Sequence, residues 1–224
     1  MKERTSWFSH RLNQEVAVAR WGHFGTPVLI FPTAGGDAEE IERFHIVAAL
    51  AQHLEQGMIK IYSCDSVAGR TMLAEEGSPQ HRMWIMNQFQ EYVRQELVPW
   101  IWDDCRTPGL GIATAGASVG AFHALAAVCR YPDVFTRALC MSGTYDLLRF
   151  LQAPPTADFW YASPLHWLGD FHGEEHLAKL RRRFVLLASG EGRSEDIGEA
   201  WRVAHVLGAK GVPNRVDSWG PEWH

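Results

Sequence analysis

The 224-residue sequence predicts an α/β domain, with a mostly parallel sheet covered by helices on both faces. Three observations lead there. Residues 28–31, 138–141 and 184–188 are short, wholly apolar runs of the kind that a sheet buried on both faces requires. Segments of helical period lie between such runs. A glycine-rich junction, residues 111–127, turns a strand directly into an alanine-rich helix near the middle of the chain.

In chain order, residues 15–21 alternate as a strand, 22–27 supply turn residues, and 28–31 form a buried strand; the pair is expected to be an antiparallel hairpin. Residues 33–37 break the pattern, a helix follows over 38–54, and 58–62 is the next strand. After a polar stretch over 65–80, Met83, Met86, Phe89, Val93, Leu97 and Ile101 recur at helical spacing, with Pro99 near the helix end. The junction comes next, then a strand over 138–141 with a loop at 143–146. Residues 151–176 are rich in Pro, Trp and His without clear period, and read as a lid or cap excursion over a site. A strand at 184–188, a loop at 189–194, a helix over 195–207 and a strand over 214–219 complete a single domain, 1–224.

Composition narrows the function classes. A formal charge of −5 and a sequence pI near 6.1 argue against a nucleic-acid surface. Arg181, Arg182 and Arg183 are read as flanking a buried strand. Cys64, Cys105, Cys129 and Cys140 lack metal-like spacing and read as small buried thiols. With no signal-like apolar core at the amino terminus and no stretch of transmembrane length, the expectation is a cytoplasmic protein without a membrane partner.

The chemistry is concentrated in Gly116-Ala117-Ser118-Val119-Gly120, a G-x-S-x-G pentad between strand and helix. Such a turn forces its central residue to positive φ and brings strand and helix so close that glycine is needed two positions either side. Serine then projects alone, and the helix starting near Val119 aims free N–H groups where an oxyanion would develop during acyl transfer.

Together with Phe31-Pro-Thr-Ala-Gly-Gly36, Met141-Ser-Gly-Thr-Tyr-Asp146, Gly192-Arg-Ser-Glu-Asp196, and Lys210-Gly-Val-Pro-Asn214 before Asp217-Ser-Trp-Gly220, the pentad resembles the putative-esterase branch of the α/β-hydrolase superfamily, which includes S-formylglutathione hydrolases, feruloyl esterases and mycolyltransferases. The resemblance implies an α/β-hydrolase fold, a serine nucleophile, a small-molecule ester substrate and no cofactor. Carried over by residue, Ser118 is the nucleophile and Val119 one oxyanion donor, with the second donor Thr33 or Ala34. The acid should follow the strand at 184–188, where Glu195 is favoured over Asp196; Asp146, one strand earlier, is a third candidate. Helix capping is the bland reading of both Glu195 and Asp196.

Triad order in the superfamily places the base after the last strand, and the resemblance implies a histidine shortly after Trp219-Gly220. His224 is the candidate. The resemblance further implies a closing helix beyond it, so the expectation is a chain truncated there and weakly active or inactive in this form.

The remaining motifs carry less. His172-Gly-Glu-Glu-His176 matches a zinc-protease pattern, but Gly173 weakens the helix, no third ligand is evident, and no metal is expected. His123, on the helix after Ser118, is read as buried packing; His45, His53, His81 and His205 as surface or packed residues. Trp84, Trp160, Tyr161 and Trp167 are read as core or lid packing, with an aromatic acyl pocket as the functional alternative, and at least one residue of 151–167 is expected to meet substrate.

The expectation is a serine esterase acting on a carboxylic ester or thioester through an acyl-enzyme. Acyl transfer to an alcohol or thiol by the same triad is the close variant. A catalytically silent protein of this fold, binding a ligand or partner, is the reading from another class. The oligomeric state is left open, with a homodimer allowed for.

Overall fold

The computed structural model describes residues 1–222. Its strands are β1 (Lys2–Ser9), β2 (Gln14–Trp21), β3 (Thr26–Phe31), β4 (Ile59–Cys64), β5 (Ile112–Ala117), β6 (Phe135–Met141), β7 (Phe184–Ser189) and β8 (Asn214–Ser218). They form one sheet in the order β1-β2-β4-β3-β5-β6-β7-β8, parallel from β4 to β8, with β1 and β2 antiparallel at one edge. The predicted fold class is therefore observed.

The expected hairpin is corrected. β2 pairs with β1 along its whole length, Lys2 opposite Trp21 and Ser9 opposite Gln14, and its other neighbour is β4. β3 instead lies between β4 and β5. β1 escapes an apolar search because, as an edge strand, most of its residues are exposed.

The helices are α1 (Glu40–Arg43), α2 (Ile46–Ala49), α3 (Ala51–Glu55), α4 (Val67–Leu73), α5 (Pro79–Tyr92), α6 (Val98–Asp104), α7 (Val119–Arg130), α8 (Leu148–Leu151), α9 (Ala157–Ala162), α10 (Pro164–Trp167), α11 (Glu174–Leu180) and α12 (Ile197–Ala209). The single helix expected over 38–54 is broken into α1, α2 and α3, and the first break falls where His45 takes a left-handed backbone, φ 63°. The stretch read as polar over 65–80 contains α4, which buries Val67, Ala68, Gly69 and Thr71.

The long helical pattern from Met83 to Ile101 is present but interrupted by a π turn, Val93–Leu97. Pro99 supplies the reason: it has no N–H, and its ring would crowd the Gln95 carbonyl in a regular helix, so the wider turn relieves both.

The excursion after β6 is more helical than its sequence suggests. Leu151, Phe159, Ala162 and Leu168 are buried in the main core. Asn87 Nδ2 donates to Asp158 Oδ1 at 2.7 Å and Gln90 Nε2 to the Ala162 carbonyl at 2.8 Å, holding α9 on α5. A smaller core of Ala17, Ala19, Trp21, Ile30, Ile41, Leu54, Ile61 and Ala115 packs with α1 and α3. α7 is buried at every position except Arg130. A helix so enclosed cannot shift, which fixes the point at which it begins.

Candidate active site

That point is Ser118. Its backbone has φ 55° and ψ −123°, a conformation that side chains other than glycine rarely adopt. A Cβ on Gly116 would lie 2.4 Å from the Gly120 carbonyl carbon, and a Cβ on Gly120 would lie 2.5 Å from the Phe31 carbonyl oxygen. Both contacts are with backbone, so neither can yield cheaply, and the two glycines are required by the approach of β5, α7 and β3. The Ser118 amide donates to the Met141 carbonyl at 3.1 Å, and its carbonyl accepts from Ala121 at 3.1 Å and Thr144 at 3.3 Å. Val119, the first residue of α7, has an N–H with no acceptor within the helix.

The loop after β3 is clamped from two sides. Glu40 is 7% exposed, and its carboxylate accepts from the Thr33 amide and the Thr33 hydroxyl, both at 2.7 Å. α4 approaches so closely that a Cβ on Gly69 would sit 2.7 Å from the Ala34 Cα. Of the two expected oxyanion donors, Thr33 thus has its N–H engaged by Glu40, whereas the Ala34 N–H makes no hydrogen bond within the described residues.

On the other side of the elbow, the Glu195 carboxylate accepts from Ser189 Oγ at 2.8 Å, just past the end of β7. Asp196 instead caps α12, its Oδ1 accepting from the Gly198 amide at 3.0 Å. The chain after β8 folds back over this loop: the Glu191 amide donates to the Gly220 carbonyl at 2.7 Å and the Gly192 amide to the Glu222 carbonyl at 3.0 Å. A Cβ on Gly190 would meet the Glu222 oxygen at 2.3 Å and Glu195 Cγ at 3.1 Å, so glycine admits both the returning chain and the carboxylate. His224 lies outside the described residues.

Asp146 follows β6. Its amide donates to Glu199, and its side-chain charge favours protonation of His166, against burial, which pushes the His166 pKa down. His166 Nδ1 also pairs with Ser163 Oγ at 2.7 Å.

Two carboxylates that position this site were missed in the sequence. Glu199 is 1% exposed; it accepts the Tyr145 and Asp146 amides and faces Arg149 Nη1 at 2.9 Å. The available signal was its place at i, i+4, i+8 with Val203 and Leu207, the apolar face of α12. Glu40 gave a fainter signal, an acid beside the buried Ala38 and Ile41.

The other sequence candidates lie elsewhere. His123 is packed among Phe89, Phe122 and Phe31, with ring centroids at 4.7, 5.4 and 5.8 Å, and burial lowers its pKa to about 3. His176 Nε2 pairs with the Cys129 carbonyl at 2.7 Å while His172 is exposed, and no metal-holding group of side chains occurs among the described residues. His45, His53, His81 and His205 are exposed. Trp167 packs with Phe171 and His176; Trp84, Trp160 and Tyr161 are exposed. No helix among the described residues is long and apolar enough to cross a membrane.

Comparison with known proteins agrees with this fold. Solved structures of similar fold include a ferulic acid esterase, 18% identical, TM-score 0.75, with 100% of this chain and 92% of that one covered. An S-formylglutathione hydrolase from Agrobacterium tumefaciens is 14% identical, TM-score 0.74, covering 99% and 87%. The fluorophosphonate-binding serine hydrolase F of Staphylococcus aureus is 10% identical, TM-score 0.73, covering 100% and 91%. No curated protein matches the chain. The family model described as "Putative esterase" matches residues 38–208, three quarters of the sequence, and the chain belongs to that family of α/β-hydrolase-fold esterases.

Proposed function

We propose that the protein is a serine hydrolase of carboxylic esters or thioesters, with Ser118 as nucleophile, His224 as base and Glu195 as acid. The observation that carries this reading is the strained Ser118 backbone, held at φ 55° between two obligatory glycines at the start of a buried helix. Ser118 Oγ adds to the ester carbonyl as its proton passes to His224. The oxygen that becomes anionic is met by the N–H groups of Val119 and Ala34, and the imidazolium is stabilised by the Glu195 carboxylate. Collapse breaks the bond to the alcohol or thiol, which leaves with the His224 proton. Water then adds to the acyl-enzyme by the same route, releasing the carboxylic acid and restoring Ser118.

Each choice among alternatives has a physical ground. Ala34 is preferred to Thr33 because the Thr33 N–H already serves Glu40. Glu195 is preferred to Asp196 because the Asp196 carboxylate serves the α12 amide. His224 is preferred because residues 218–222 are tied to the loop that carries Glu195, which leaves the base two residues along from Glu222. The test is labelling with a fluorophosphonate probe, run beside hydrolysis of p-nitrophenyl esters and acyl thioesters of increasing chain length. Label on Ser118 with turnover of at least one series is expected; label on another serine overturns the assignment.

A further inference from the structure

At the end of the sheet opposite Ser118, where the parallel strands begin, an open cleft of about 880 Å³ is bounded by Thr26 on β3, Lys60 on β4, the turn at 22–25 and the end of α6. Its lining carries Arg20, Lys60 and Arg106 against one carboxylate, Asp104, in a chain whose net charge is −5. The Lys60 side chain is 6% exposed, and its ammonium is 2.6 Å from Asp104 Oδ2, which also accepts from the Tyr62 hydroxyl at 2.6 Å. Arg20, 13% exposed, faces Asp104 Oδ1 at 3.2 Å and reaches outward to Glu3.

Asp104 and Glu3 thus account for Lys60 and Arg20. Nothing among the described residues forms an ion pair with Arg106. The Lys60 ammonium has three donors; Asp104 takes one with its carboxylate and a second, at 3.5 Å, with its carbonyl, which leaves the third unassigned. Beside these cations the lining turns apolar: Phe24 is 73% exposed and Met58 55% exposed, and Leu110 belongs to the same lining.

We infer that this cleft binds an organic anion, an acidic head on an apolar tail, with the head on Arg106 and Lys60 and the tail along Phe24 and Met58. Such a site is separate from the ester site, and its occupancy does not depend on Ser118.

The experiment is isothermal titration of the full chain with octanoate, octyl phosphate and octanol. Arg106→Asn removes the charge without straining the backbone, since φ at this position is 53° and asparagine tolerates the left-handed region. Phe24→Ser removes part of the exposed rim. One or both anions should bind, octanol should not, and each variant should raise the dissociation constant of the bound anion at least tenfold while labelling of Ser118 is unchanged. Absence of binding by both anions, binding of octanol as tight as octanoate, or equal affinity in Arg106→Asn and wild type overturns the inference. Loss of labelling with anion binding intact would count against the esterase reading alone.

Discussion

Glu199 accepts the Asp146 amide at 2.9 Å, across a separation of 53 residues, and so ties α12 to the loop that leaves β6. The same loop sends the Thr144 amide to the Ser118 carbonyl, while α12 begins two residues after Glu195. One buried carboxylate therefore holds the loop beside Ser118 and the segment that carries Glu195 in a fixed relation. Glu199→Ala would leave two amides without their acceptor, a loss of about 2–4 kcal/mol in urea denaturation, while Arg149, 47% exposed, is solvated. Glu199→Gln keeps an acceptor for the amides and should lose less, about 1–3 kcal/mol. In whatever fraction stays folded, kcat should fall more than KM rises, because geometry at the reacting atoms is disturbed and not substrate capture.

Substitutions at Ser118 separate strain from chemistry. Ser118→Ala should abolish fluorophosphonate labelling with little change in thermal midpoint. Ser118→Gly should be at least as stable as wild type, since glycine adopts φ 55° freely. Ser118→Val, β-branched, should lose about 1–3 kcal/mol. A valine variant as stable as the glycine variant would show that the position is unstrained.

The two adjacent acids should respond in opposite ways. Glu195→Gln should keep the fold and lower turnover on the order of 1000-fold or more, since a neutral amide does not stabilise the imidazolium. Asp196→Ala should cost about 1 kcal/mol as a lost helix cap and leave turnover near wild type. Under the proposed triad the base and acid act as one unit, so adding Glu195→Gln to His224→Ala should do little further harm. Independent, multiplicative losses in the double variant would separate the two residues.

His123 makes stability depend on pH. Burial lowers its pKa from 6.5 to about 3. The unfolded chain therefore takes up a proton below pH 6.5 that the folded chain refuses until near pH 3, and stability falls as pH drops through that window. At pH 5 the loss relative to pH 7 is about 2 kcal/mol from this residue. His123→Phe should remove that part of the slope between pH 6.5 and 4, measured by denaturant midpoints at each pH. An unchanged slope would mean that His123 is protonated in the fold.

What could be read in advance was local. The elbow declares itself because Gly116, Ser118 and Gly120 are neighbours in sequence and their spacing is the geometry. β6 and β7 declare themselves because burial on both faces demands continuous apolar residues. β1 does not, since Lys2, Glu3 and Arg4 sit on an edge that water reaches. The break at His45 is hidden because a left-handed residue other than glycine has no compositional mark. Glu40 and Glu199 are hidden for another reason: their partners include main-chain amides, at Thr33 and at Tyr145 and Asp146, and an amide is present at nearly every position. The choice between Thr33 and Ala34 rested on that same unseen carboxylate.

The sheet ends in β1 on one side and β8 on the other, and among the described residues each is paired along one edge only. An open ladder of this kind invites strands from neighbouring copies to extend it into a polymer. Here both outer strands carry alternating charge: Lys2, Glu3 and Arg4 on one, Arg215 and Asp217 on the other. A second copy aligning against either edge would have to strip water from those groups. The same polar character that concealed β1 from a search for strands makes strand addition at these edges costly.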